Sequence, residues 1–180
     1  MAHLEQYGFC RRVYGNFHPL FRKRRVLGVG TRDINSEASG YDVEALFSDC
    51  EMTGLDLDPG PHVTHVCHAA DFSPGATPGF DVVYSCEALE HDRRWRETVR
   101  AMVRFTRPGG LMFITTAGPG REEHGTTAHH PHVSPATNDY YGNLEREELA
   151  EALGVLDNFS SFAFEEWRGP RDLYFWGIRR

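Results

Sequence analysis

The chain predicts an α/β fold, a parallel sheet with helices packed on its faces, and two observations carry that prediction. Short apolar runs of strand length alternate with segments of helical periodicity, which is the rhythm of βαβ units. The first run, Arg25-Val-Leu-Gly-Val-Gly30, ends in glycines, and the second, Glu51-Met-Thr-Gly-Leu-Asp56, ends in an acid. A length of 180 residues suits one domain spanning 1–180, with residues 1–24 as an N-terminal segment ahead of the first strand.

The remaining elements follow in order. His62–His68 alternates as a third strand and is followed by Asp71; Phe80–Ser85 and Leu111–Thr116 read as the fourth and fifth. Asp92 is placed to cap a helix whose apolar stripe is Trp95, Val99, Met102 and Val103, ending at Arg107-Pro-Gly-Gly110. Asn143 is placed to cap another, with Leu149, Ala152, Leu153 and Leu156 inward and Gly154 at its end. The segment from Thr31 to Gly40 is polar, so the first crossover helix is delayed to Asp42–Phe47 or is very short. Phe159–Trp167 and Asp172–Ile178 form a hairpin-like pair around Arg168-Gly-Pro170.

Composition narrows the function. No apolar run approaches the roughly 20 residues that cross a bilayer, and Met1–Cys10 lacks the order of a secretory signal, so a cytoplasmic protein with no membrane partner is expected. The four cysteines, Cys10, Cys50, Cys67 and Cys86, form no C-x-x-C pair, which argues for reduced thiols. A net charge of −7 argues against a general grip on nucleic acid. Residues 1–25 nevertheless carry +5, leaving −12 for the remainder. That basic stretch is read as a solvated segment rather than a binding face.

Val26-Leu-Gly-Val-Gly-Thr31, Gly54-Leu-Asp56, Asp71-Phe72, Phe80-Asp-Val-Val83, Leu89-Glu-His91 and Arg107-Pro-Gly-Gly110 occur in this order. Together, from about residue 22 to 117, they resemble the class I, Rossmann-like S-adenosylmethionine-dependent methyltransferases, and the small methyltransferase type 11 domain in particular. The resemblance implies a seven-stranded, mostly parallel sheet with an antiparallel last strand, and S-adenosyl-L-methionine bound across the carboxyl ends of the first strands. It assigns the glycine turn to Gly28 and Gly30, the ribose hydroxyls to Asp56 and the adenine flank to Leu57. Asp71 and Phe72 fall at the adenine, and Ser85, Cys86 and Glu87 border the methyl being transferred. The family's acid in the first strand is replaced by Gly28 and the third glycine of the loop is missing, which implies either weaker cofactor binding or a transfer of the acid's work to Asp33 or Asn35.

Glu87-Ala-Leu-Glu-His91 adds a second resemblance. E-x-x-E-H places two carboxylates and an imidazole on one face of a helical turn. It is similar to the metal motif of ubiquinone-pathway O-methyltransferases and small-RNA 2′-O-methyltransferases, which implies Glu87, Glu90, His91 and a later histidine as ligands, the last being His124, His129, His130 or His132, with His124 taken first. Mixed carboxylate and imidazole donors suit Mg²⁺, Mn²⁺, Fe²⁺ or Zn²⁺ without selecting one. The alternative is a histidine that packs or positions substrate. The long segment 118–142, with Arg121, His124, His129, His130, His132, Tyr140 and Tyr141, is the substrate loop. Glu87, His91 and His124 are accordingly the candidate catalytic residues.

The expected activity is methyl transfer to an oxygen or nitrogen nucleophile, with a small-molecule acceptor favoured over a macromolecule by the acidic charge. Three other readings remain: a metal-dependent O-methyltransferase acting on a nucleic acid or other macromolecule, a nicotinamide oxidoreductase, and a non-catalytic cofactor-binding partner. The second is weakened by the lack of a third glycine in Gly28-Val-Gly-Thr-Arg-Asp33. With so little chain outside the core, the acceptor is held by the N-terminal segment and the 118–142 loop, or by a second subunit of a homodimer.

Overall fold

A computed structural model describes residues 3–33, 41–75 and 79–180. Seven strands form one sheet in the order β3-β2-β1-β4-β5-β7-β6. They are β1 (Arg25–Val29), β2 (Glu51–Asp56), β3 (His65–Val66), β4 (Phe80–Cys86), β5 (Thr106–Ala117), β6 (Phe159–Trp167) and β7 (Asp172–Arg179). All neighbours as far as β5 pair in parallel, whereas β7 runs antiparallel to both β5 and β6. The chain therefore builds outward from β1 to β3, returns to the other side of β1 with β4, and leaves a switch point between β1 and β4 where open α/β sheets bind ligands.

Each central strand alternates its side chains between two apolar layers, as the pleat demands. Val26, Val82, Tyr84, Leu111 and Phe113 face one layer together with α1 (Leu4–Asn16) and the short turn Glu44–Phe47. Leu27, Val83, Met112 and Ile114 face the other, covered by α2 (Trp95–Phe105) and α3 (Arg146–Leu153), with one further turn of helix, α4 (Val155–Asn158), leading into β6. The helices thus lie on both faces. In the first layer Phe21 stacks on Phe47 with centroids 5.1 Å apart, and Tyr84 stacks on Phe113 at 5.2 Å.

Several elements differ from the expectation. Helix α1 was not legible as a helix among its charges, yet Gln6, Phe9, Cys10 and Val13 form a buried stripe at i, i+3, i+4 and i+7. The third strand shrinks to two exposed residues because it pairs with β2 alone at the sheet edge. Helix α2 begins at Trp95 rather than after Asp92; the Asp92 carboxylate instead accepts the Arg94 amide at 2.7 Å and the Thr98 hydroxyl. Asn143 caps no helix, since α3 starts at Arg146 and the Asn143 side-chain amide donates to the Arg121 carbonyl at 3.1 Å. Leu156 points outward, because Gly154 ends α3 at φ +55° and turns the chain before it. Arg107-Pro-Gly-Gly110 lies within β5 as a bulge: the register passes from Phe80–Thr106 directly to Val82–Leu111, with Gly109 at φ +73°.

Met102 is fully buried between α2 and the sheet. Met102→Ala is expected to lower the unfolding free energy by about 2–5 kcal/mol in urea denaturation. Leu156→Ala, on an exposed surface, is expected to change it by less than about 0.5 kcal/mol.

Candidate cofactor and acceptor site

A long pocket crosses the carboxyl ends of β1, β2 and β4. Gly30, Asp56, Leu57, Cys86 and Glu87 line it, with Gln6 and Glu44 from the α1 face and Cys67, His68 and Ala69 beyond β2. The turn after β1 is tied down on the β2 side, the Leu55 carbonyl accepting the amides of Gly30 at 2.8 Å and Thr31 at 3.2 Å. Gly30 takes φ +71°, and a Cβ there would lie 2.3 Å from the Ala88 Cβ, so only glycine lets the turn pass under the β4 end.

Asp56, the last residue of β2, accepts the amides of Arg32 at 3.0 Å and Asp58 at 3.1 Å, one on each oxygen. Each oxygen retains a second lone pair, so two neighbouring hydroxyls can still be bonded from the pocket. Leu57 is exposed beside it. Asp71 stands elsewhere: it is exposed, forms a two-point ion pair with Arg94 at 2.9 and 3.1 Å, and is held by it below the usual carboxylate range. Phe72 packs on Phe105 and the larger apolar layer rather than lining the pocket. The pocket wall at that end is Cys67, His68 and Ala69, with the His68 Nε2 3.1 Å from Asp92. Ser85 is buried inside β4 and does not reach the pocket, whereas Cys86 does, its sulfur 3.7 Å from that of Cys10. Gly28 sits within β1, paired with Gly54 and Tyr84, and makes no part of the turn itself. Asn35 lies outside the described residues.

Beyond Cys86 the pocket meets a group of buried polar atoms. Glu87 takes φ +51°, a backbone conformation that side chains other than those of glycine and asparagine rarely adopt, while its amide donates to Thr115 at 2.9 Å. Both its carboxylate oxygens are buried without a hydrogen-bond partner among the described residues. E-x-x-E-H is therefore not one helical face. Glu90 and His91 lie on the turn Leu89–His91, and that turn brings them to His124 of the long loop, with one ligand atom from each within 4.8 Å of the others. Glu87 falls instead into a second group, with His3 and Asp172.

The first group has free coordinating capacity. Glu90 accepts the Thr116 hydroxyl on one oxygen at 3.0 Å and leaves the other unpaired. Both ring nitrogens of His91 and the Nε2 of His124 have no partner among the described residues, and the Tyr141 hydroxyl beside them is also unpaired. In the second group His3 Nε2 lies 2.8 Å from Asp172, which also accepts from Tyr174 at 2.8 Å and pairs with Arg121. His129, His130 and His132 are exposed and remain outside both groups.

Burial governs the protonation of the cluster. It pushes Glu87 up to about 7, assisted by the charge of Glu90, and raises Glu90 as well. It pulls His91 down to about 3, assisted by His124, and lowers His124. The imidazoles are thus neutral at ordinary pH, the form that ligates a metal or accepts a proton. Sequence reasoning missed Glu44, which lines the pocket, and His3 and Asp172, which meet Glu87; all three come from distant parts of the chain and belong to no local motif.

Residues 37–114 match the family model of a methyltransferase domain. The matched stretch is less than half of the chain. The matched stretch begins beyond the β1 glycine turn, where the sequence departs from the family's usual pattern. Among solved structures, the N-methyltransferase NodS from Bradyrhizobium japonicum WM9 in complex with S-adenosyl-L-homocysteine is 15% identical, with TM-score 0.57, covering 94% of this chain and 86% of that one. The 1,6-didemethyltoxoflavin-N1-methyltransferase of Burkholderia thailandensis is 16% identical, with TM-score 0.60 and coverages of 97% and 76%. Phosphoethanolamine N-methyltransferase 2 of Haemonchus contortus is 14% identical, with TM-score 0.62; 96% of this chain aligns, over only 52% of that enzyme. At these identities the methyltransferase fold is what is shared. No curated protein sequence matches the chain. No helix among the described residues is long and apolar enough to cross a membrane.

The raised Glu87 predicts a pH dependence of stability. Unfolded, this carboxyl ionises near 4.5; folded, it keeps its proton to about 7, so ionisation opposes folding as pH rises through that window. In chelator-treated protein, Glu87→Gln is expected to be more stable than the parent at pH 8, by on the order of 2 kcal/mol. The advantage should vanish near pH 4, and a gap that stays constant across this range would contradict the assignment.

Proposed function

We propose that the protein transfers the methyl group of S-adenosyl-L-methionine to an oxygen or nitrogen nucleophile of a small molecule. The observation that carries this reading is the continuity of the two halves of the site. A pocket floored by the Gly30 turn and flanked by Asp56 runs past Cys86 to Glu87 and His91, and His91 stands among the unpaired polar atoms of Glu90, His124 and Tyr141. The cofactor supplies an electrophilic methyl on a sulfonium, displaced in line. Asp56 accepts from the ribose hydroxyls, Leu57 with Cys67–Ala69 borders the adenine, and the glycine turn lets the backbone approach the methionine end. Cys86 and Glu87 stand where the methyl is handed over.

On the acceptor side the chain orients a nucleophile and excludes water, contributions that suffice for much of the rate of a displacement. His91 and His124, held neutral by burial, can receive a proton from an acceptor hydroxyl or amine. The wall of this chamber is the 118–142 loop, joined to the catalytic turn where the Gly142 amide donates to the Glu90 carbonyl at 2.8 Å.

A metal-assisted form of the same reaction is favoured by one feature, the convergence of Glu90, His91 and His124 with unpaired ligand atoms. One carboxylate and two imidazoles fit Mn²⁺, Fe²⁺ or Zn²⁺ as donors, with Mg²⁺ the poorer match. A metal held there would polarise an acceptor hydroxyl. Glu87 stands apart from this set.

Calorimetric titration with S-adenosylhomocysteine, with and without EDTA, tests the reading. Saturable one-site binding is expected, reduced about tenfold or more in Asp56→Ala, whose loss removes charge-assisted hydrogen bonds. Undiminished binding by Asp56→Ala would refute the ribose assignment, and binding of a nicotinamide cofactor in its place would refute the transferase reading. If the metal form holds, His91→Ala loses a bound transition metal detected by elemental analysis; equal metal content in both proteins would sink it.

A further inference from the structure

The family's strand acid is absent at Gly28, and the structure shows what occupies its space. A Cβ on Gly28 would lie 2.2 Å from the Thr31 methyl and 2.7 Å from the Tyr84 hydroxyl, so no carboxylate can be carried there. Gly28 and Tyr84 are register partners on β1 and β4. The Tyr84 side chain, stacked on Phe113, fills the gap and donates its hydroxyl to Glu44 Oε1 at 2.6 Å. Glu44 begins the turn Glu44–Phe47, which Asp42 starts by accepting the Ala45 amide at 3.0 Å, and its side chain lines the pocket beside Gln6 and Tyr41.

We infer that Glu44 supplies the carboxylate that β1 lacks, and that it holds the α-ammonium of the cofactor's methionine moiety. This inference rests on the methyltransferase reading above. Tyr84 lies two residues before Cys86, so the carboxylate it orients belongs to the methionine end of the pocket, across β1 from Asp56. Asp33 also lines the pocket, on the β2 side, where its amide donates to the Pro61 carbonyl in the loop after β2. The Tyr84 hydroxyl and a backbone amide use part of the Glu44 carboxylate, and its remaining lone pairs are available to a cation. Burial raises the Glu44 carboxyl above its usual range, a cost that an ammonium ion beside it would offset. Tyr84 is thus a positioning residue, and the turn Glu44–Phe47 delivers a binding group to the site from outside the glycine loop.

The test compares two probes by calorimetry: S-adenosylhomocysteine, which carries the amino-acid end, and 5′-deoxy-5′-methylthioadenosine, which has the same nucleoside without it. Glu44→Gln should weaken the first about tenfold or more, in keeping with the loss of a charged hydrogen bond, and leave the second within about twofold. Equal weakening of both probes, or unchanged affinity for both, would overturn the inference while leaving the methyltransferase reading intact. Failure of the parent protein to bind either probe would instead overturn that reading and the inference together. Should Glu44→Gln lose its cooperative unfolding transition, Tyr84→Phe carries the test, since it keeps the carboxylate but releases it. The same selective loss, smaller in size, is expected there, and an equal effect on both probes would again be decisive against it.

Discussion

The close approach of β1 to its neighbours is the constraint from which the rest of the site follows. Three glycines hold positions where a Cβ would collide: Gly28 with Thr31 and Tyr84, Gly30 with Ala88, and Gly54 with the His62 carbonyl at 1.9 Å. Removing those side chains lets the turn after β1 lie flat between the ends of β2 and β4. Asp56 and Cys86, at the ends of the strands on either side of β1, thereby line one pocket. The same absence at Gly28 admits Tyr84, and through it Glu44, so a single steric fact shapes both the binding surface and its supply of charge.

The acceptor end is governed by a different balance. Unpaired carboxylates and neutral imidazoles are costly to bury, by about 1–3 kcal/mol for each group left without a partner. Their concentration at Glu87, Glu90, His91 and His124 is not the arrangement that maximises stability. Glu87 adds backbone strain, held at φ +51° where β4 ends. Strain and unmet polar capacity gathered in one place are the physical signature of a site that a ligand completes. Helix α1 closes this chamber through His3, whose pairing with Asp172 docks the helix start against β7. The N-terminal segment is thus structural in its apolar stripe and stands beside Glu87 at His3.

The sequence carried the succession of strands along the chain, the helix of Trp95, Val99, Met102 and Val103, and the places of Gly30 and Asp56 at strand ends. These depend on local patterns: period-two alternation, a glycine after a strand, an acid at a strand end. It also carried Glu90, His91 and the presence of histidines in the long loop. The partition of E-x-x-E-H was not visible, because it depends on the conformation of one residue, Glu87, whose left-handed backbone rotates its side chain away from the turn that follows. Asp71 carried the same motif signal as Asp56, yet its carboxylate is turned outward to Arg94 at the start of α2.

By itself, then, the sequence determined the strands, their alternation with helices and the chemistry available at the strand ends, since those follow from periodicity and steric demand within short stretches of chain. Tertiary structure alone decided which of four loop histidines meets His91, that Asp172 and His3 share a wall with Glu87, and that Glu44 stands where Gly28 carries no acid. The reason is physical: these contacts join residues far apart in the chain, and only the packed positions of the Glu44–Phe47 turn, α1, β7 and the long loop against the sheet bring them within reach.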